Sequence, residues 1–171
     1  MTGMPERDEY APYYHRYIER IASPDVVGVL ARQAEDEVAF WRGIPEAKAS
    51  HRYAPGKWSI REVLNHVSDT ERVFLYRALW FARGFESELP SFDQDVSSRA
   101  AKAEACPWES VVEEFRAVRA GSVAFFRNLP PEAWGRRGVA SGNPVSVRAL
   151  AFITAGHAVH HREVVTSRYL S

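Results

Sequence analysis

Apolar residues recur every third or fourth position in four long stretches of the chain, the period of helices that bury one face. Val26, Val27, Leu30, Ala34, Val38 and Trp41 form the first stripe, with Arg32, Glu35 and Asp36 on the opposite side. Ser23 as N-cap and Pro24 at the first helical position open it, and Gly43 and Pro45 stop it, which predicts a helix over roughly 24–42. The second stripe, Ile60, Leu64, Val67, Phe74, Leu75, Ala78 and Ala82, carries fuller start chemistry. Ser59 and Glu62 have capping-box spacing, and Trp58 and Val63 hold the two positions of a hydrophobic staple, so register and entry angle are fixed in the first turn. Gly84 ends this helix. Pro107 opens a third, with Trp108, Val111, Val112, Phe115, Val118, Ser122, Phe125, Phe126 and Leu129 on its apolar face and Pro130-Pro131 after it. The fourth follows Pro144-Val145, with Ser146 as N-cap, and runs to about Tyr169. No segment shows the alternation of a half-buried strand, so the chain reads as an all-α four-helix bundle.

Between the helices, residues 43–57 form a loop marked by Pro45, Pro55 and Gly56. Phe85 to Ala105 has no clean period and reads as a long excursion, of the kind that in a small domain is usually functional or disordered. Phe92, Asp93 and Asp95 there are candidates for lining a pocket, against ordinary loop packing. Glu132-Ala133-Trp134 reads as a single helical turn, and the glycines at 135, 138 and 142 lack the spacing of a phosphate-cradling loop. Ahead of the first helix, Tyr10, Tyr13, Tyr14, Tyr17 and Ile18 make an aromatic arm able to lie over a later helix.

A length of 171 residues fits one domain, with residues 1–22 as the arm and 23–171 as the bundle. The 22 basic and 22 acidic residues cancel, and without a basic block the chain lacks the field that nucleic-acid binding needs. The single cysteine, Cys106, excludes an internal disulfide and fits a reducing compartment. No apolar run approaches the roughly 20 residues of a membrane span, and the N-terminus has no signal-peptide core, so a cytoplasmic location is expected.

The chemistry concentrates in histidine. Three of the six lie in Gly156-His157-Ala158-Val159-His160-His161-Arg162, inside an otherwise apolar helix. At about 100° and 1.5 Å per residue, His157 and His161 stand roughly 40° apart and about 6 Å along the axis, so both rings can aim at one point, as a shared metal ion requires. His160 is an alternative partner for His157, offset by a similar angle the other way, and periodicity alone does not choose between them. Two helical histidines are half a site. His66 lies well inside the second helix, on a strip with Glu62, Asp69, Thr70, Val73 and Arg77 that is either solvated surface or a functional face. His15, in the arm, and His51, in the loop, lack such a rigid platform. The proposed centre therefore joins His66 to His157 and His161. Three imidazoles leave a coordination position open, the catalytic pattern, and an open metal can lower the pKa of bound water or bind a thiolate. Glu62, Asp69 and Glu163 are the carboxylates within a turn of these rings, and each is equally placed to orient a ring or to face solvent.

The run from Arg52 to Arg72, containing Trp58-Ser59-Ile60-Arg61-Glu62 and His66, with His157-Ala158-Val159-His160-His161-Arg162 downstream, resembles the DinB superfamily, a group that includes the YfiT-type bacillithiol transferases. Leu89-Pro90-Ser91-Phe92-Asp93 and Pro144-Val145-Ser146-Val147-Arg148-Ala149-Leu150 extend the likeness. It implies an up-down-down-up four-helix bundle, a homodimer, and a divalent metal, zinc or nickel, on His66, His157 and His161, which decides between His161 and His160. Relatives include thiol-dependent transferases and a mycothiol-dependent isomerase domain. After Arg162 this chain has Glu163-Val164 where many bacillithiol-type members have Gly-Gln, which weighs against that thiol. The expected function is metal-dependent transfer of a low-molecular-weight thiol to a small electrophilic substrate. The alternatives are hydrolysis by metal-bound water and a metal-binding, stress-related module without turnover.

Overall fold

The computed structural model describes residues 3–171. Four long helices, α2 (Val26–Arg42), α4 (Ile60–Ala82), α6 (Trp108–Arg127) and α7 (Val147–Arg168), form the bundle; the short helix α1 (His15–Ile18) precedes them, and α3 (Glu46–Ala49) and α5 (Gln94–Ala101) lie in the connections on either side of α4. Contacts between their ends give the directions. The C-terminal Arg42 of α2 pairs with Glu109 at the start of α6, so these two are antiparallel. Tyr169, just past α7, donates its hydroxyl to the Trp58 carbonyl just before α4, which makes that pair antiparallel too. Arg61 meets Glu104 ahead of α6 while Glu71 meets Arg119 farther along, so α4 and α6 run parallel. The topology is up-down-down-up. Among the described residues no helix is long and apolar enough to cross a membrane.

The caps explain the boundaries. Ser59 Oγ accepts from Glu62 N at 3.2 Å while Glu62 Oε2 accepts from Ser59 N at 2.8 Å, the reciprocal box that the spacing predicts. The first long helix starts later than expected. Asp25, not Ser23, is its N-cap, accepting from Gly28 N at 3.0 Å, and Pro24 lies outside the helix. Pro107 likewise caps α6 from outside.

Two further expectations fail. The excursion at 85–105 contains α5, held by Asp93 Oδ1, which accepts from the backbone N–H groups of Asp95 and Val96. With eight residues and Val96 53 % exposed, this helix is too short and too wet to show a period. The expected absence of strands is also wrong: β1 (Arg137–Ala140) and β2 (Asn143–Ser146) pair antiparallel. Ser141 and Gly142, both at positive φ, form the two-residue turn whose twist suits a hairpin. Four-residue strands are too brief to display alternation. Gly138 is required because a Cβ there would enter the Phe81 ring.

The core divides into two apolar clusters. One contains Leu30, Phe81, Phe126, Phe152 and Ile153; the other contains Trp41, Leu64, Trp108, Phe115 and Val165. A polar layer also crosses the interior. Arg119, fully buried, grips Glu71 with bonds of 2.9–3.1 Å and donates to Gln33 Oε1 at 2.7 Å. Gln33 in turn donates to the Ala155 carbonyl at 3.1 Å, so all four long helices contribute one member. Such a network holds register because any slip leaves a buried charge unpaired.

The aromatic arm lies on α7. Buried Glu9 accepts from Ser146 Oγ at 2.5 Å and Arg148 Nε at 3.1 Å, which fastens the arm to the start of that helix. Farther on, the Tyr17 backbone presses so closely on Gly156 that a Cβ would collide with its carbonyl.

Glu71→Ala strands the Arg119 guanidinium in the interior and is expected to cost about 3–5 kcal/mol in denaturant unfolding. Glu71→Leu combined with Arg119→Met is expected to recover most of that loss. A single variant as stable as the parent would remove the layer's structural role.

Candidate metal centre

The capping box places His66 two turns into α4, facing α7. The strip it shares with Thr70 and Arg77 is interior rather than solvated, since all three are 5–7 % exposed. On α7, His157 is buried and His161 partly so. Because α4 and α7 pack antiparallel, the His66 ring meets both, with centroids 5.1 Å from His157 and 5.0 Å from His161. The Nε2 atoms of His157 and His161 approach to 3.1 Å, and one ring nitrogen from each of the three residues lies within 4.8 Å of the others.

A tetrahedral ion with bonds of about 2.0–2.1 Å spaces its ligand nitrogens by about 3.3 Å, so the pair on α7 already has the right separation. The Thr70 hydroxyl lies 3.3 Å from His66 Nδ1, which fixes that ring and leaves its Nε2 free. Burial lowers the His66 pKa to about 4. Burial, then the neighbouring imidazoles, holds His157 and His161 well below the ordinary histidine range. All three are neutral near pH 7, the form that binds a cation. Geometry, burial and protonation state therefore fit a divalent metal.

The other histidines do not join the three-ring cluster, although the His160 ring lies 5.1 Å from that of His161. His160 faces the arm, 5.4 Å from the Tyr17 ring, with its Nδ1 buried and unpartnered. His15 meets the Tyr10 hydroxyl, and His51 is exposed. The carboxylates considered as ring orienters also have other partners: Glu62 binds Arg52 and the α4 cap, Asp69 binds Arg72 and Ser97, and Glu163 binds Arg20. Thr70 was the signal to read, a hydroxyl one turn beyond His66. Tyr17 and Trp58, whose rings pack on His157 and His66, had none in the sequence.

Two cavities reach the rings. One, of about 190 Å³, touches His66 and His157 and is walled by Tyr14 and Tyr17 of the arm and by Phe92. A second, of about 300 Å³, touches His161 between Trp58, Asp95 and Tyr169. Gln94 borders both. Of the three loop candidates, Phe92 and Asp95 line cavities, whereas Asp93 caps α5.

The sequence profile of the DinB superfamily matches residues 30–165. The chain belongs to the DinB superfamily. Two solved structures of the same fold are similar over most of it. One is YfiT from Bacillus subtilis, described as a probable metal-dependent hydrolase with an unusual four-helix bundle topology, at TM-score 0.67 and 16 % identity, over 96 % of this chain and 91 % of YfiT. The other is a mycothiol-dependent maleylpyruvate isomerase, at TM-score 0.70 and 10 % identity, over 85 % of this chain and 61 % of the isomerase. No curated protein matches the chain in sequence.

In this DinB bundle the cost of keeping three rings neutral appears as acid sensitivity. The folded state refuses protons that the unfolded chain accepts below its histidine pKa of about 6.5, so stability is full above that pH and falls as pH drops toward 4. In metal-free protein the slope should approach about 1.4 kcal/mol per pH unit for each of the three histidines. His66→Gln should remove roughly a third of it, as read from denaturant unfolding between pH 7 and 5. An unchanged slope would mean that His66 is protonated in the folded state.

Proposed function

We propose that His66, His157 and His161 hold one divalent cation, zinc or nickel, and that the protein is an enzyme transferring a low-molecular-weight thiol to an electrophile. The observation that carries this reading is a cluster of neutral imidazoles with no fourth protein donor among the described residues, reached by separate cavities at its two ends. When bound, the metal supplies Lewis acidity, which lowers the pKa of a thiol or water at its open position. The chain's own residues do the positioning. Thr70 orients His66, and the Tyr17 and Phe74 rings hold His157 edge-on. Burial raises the Tyr17 phenol pKa, so its hydroxyl, 3.3 Å from that of Tyr13, stays protonated as a donor on the cavity wall. Two chambers suit two reactants, and the similar isomerase is described as dependent on mycothiol, itself such a thiol.

Hydrolysis is the second reading, supported by the description of YfiT. It needs only one chamber for substrate, with water as the other reactant. A pH–rate profile with an apparent pKa near 7 that vanishes with the metal would favour it.

The test pairs metal analysis with turnover. Metal-loaded protein should bind one zinc or nickel per chain, retain it in His160→Ala and lose it in His66→Ala. With glutathione, bacillithiol, mycothiol or coenzyme A and 1-chloro-2,4-dinitrobenzene, at least one thiol should react faster than in His66→Ala. The margin should exceed the roughly 10–100-fold effect of losing a ring-orienting partner. Equal rates in the two proteins, or in the presence of a chelator, would overturn the transferase reading.

A further inference from the structure

The cavity at His66 and His157 has a charged wall that the three imidazoles do not explain. Arg77 lies on the same strip of α4 as His66 and Thr70, eleven residues and about 16 Å of helix axis beyond His66. Arg77 lines the same cavity as His66 and His157. It is 5 % exposed. Of the buried arginines, Arg119 pairs with Glu71 and Arg61 with Glu46 and Glu104, while Arg77 has no carboxylate partner among the described residues. Among the described residues its only hydrogen bonds come from one terminal nitrogen, Nη2, to the Pro90 carbonyl and Ser141 Oγ, both at 2.9 Å. These two bonds fix the plane of the group. Its Nε and its other terminal nitrogen, Nη1, donate to no described protein atom, and no aspartate or glutamate lines the cavity.

A cation on a cavity wall without a counter-charge attracts an anion into that cavity, and the guanidinium fork matches a carboxylate through two parallel hydrogen bonds. We propose that Arg77 is a carboxylate subsite: the cavity takes a small organic acid, with its carboxylate on Arg77 and its far end at His66 and His157. Binding of the acid requires only the cavity. The assignment of its far end as the reacting end rests on the function proposed above.

The probes are succinate, its neutral diamide succinamide, and inorganic phosphate, titrated calorimetrically into metal-free protein so that coordination to a metal does not contribute. Succinate is expected to bind at least about tenfold more tightly than succinamide, a margin within the range for a charged hydrogen-bonded contact. Arg77→Gln should abolish that preference, and Arg77→Lys should keep part of it. Equal binding of succinate and succinamide by the parent protein, or no binding of either, overturns the proposal without any variant, so a folding defect in Arg77→Gln does not obscure the answer. Phosphate binding more tightly than succinate would overturn the carboxylate assignment. Turnover separates the two readings. If a neutral electrophile reacts in the parent but not in His66→Ala, the metal reading stands; if the succinate preference is met without any thiol transfer, the subsite stands alone.

Discussion

Three imidazoles pressed together inside the bundle must all be neutral at once, and much of the architecture meets that demand. A protonated ring would place a positive charge about 5 Å from two other imidazoles in a site with little water. The rings come from α4 and α7, so their mutual position depends on how those two helices register. Arg119, Glu71 and Gln33 set that register one helical turn away, where a shift of either helix would unpair a buried ion. The site is thus as rigid as the bundle.

The N-terminal arm completes the site from the other side. Its tyrosines could have been an ornament on the surface, but Glu9 is locked to Ser146 and Arg148, and the Tyr17 backbone fits against Gly156 with no room for a side chain. A glycine one residue before His157 lets the arm approach closely enough to wall a chamber and pack Tyr17 on that ring. On the facing wall, the crossover between α4 and α6 contributes Phe92 and Gln94, and the hairpin contributes Ser141. The segments that depart from the four-helix plan are those that shape the cavity.

Much of this was legible in the sequence. The capping box at Ser59 and the staple at Trp58 and Val63 placed His66 on one face of a helix, and the four-residue interval of His157 and His161 placed both rings on another. The choice of His161 over His160 was not legible from periodicity, because the two offsets are nearly equal and only the position of the neighbouring helix distinguishes them. The hairpin and α5 escaped because each is shorter than the window in which a period shows. Arg77 stood on a strip that spacing left open between solvated surface and a functional face, and nothing in the spacing marked Arg119. Their burial depends on partners tens of residues away, and local spacing holds no trace of those.

X-ray absorption at the zinc edge of metal-loaded protein, before and after adding a thiol, tests the central claim most directly. The account requires three imidazole nitrogens at about 2.0–2.1 Å with a further light-atom scatterer, then one sulfur at about 2.3 Å with all three imidazoles retained. Fewer than three imidazoles, or a fourth ligand from the protein that the thiol does not displace, would contradict it.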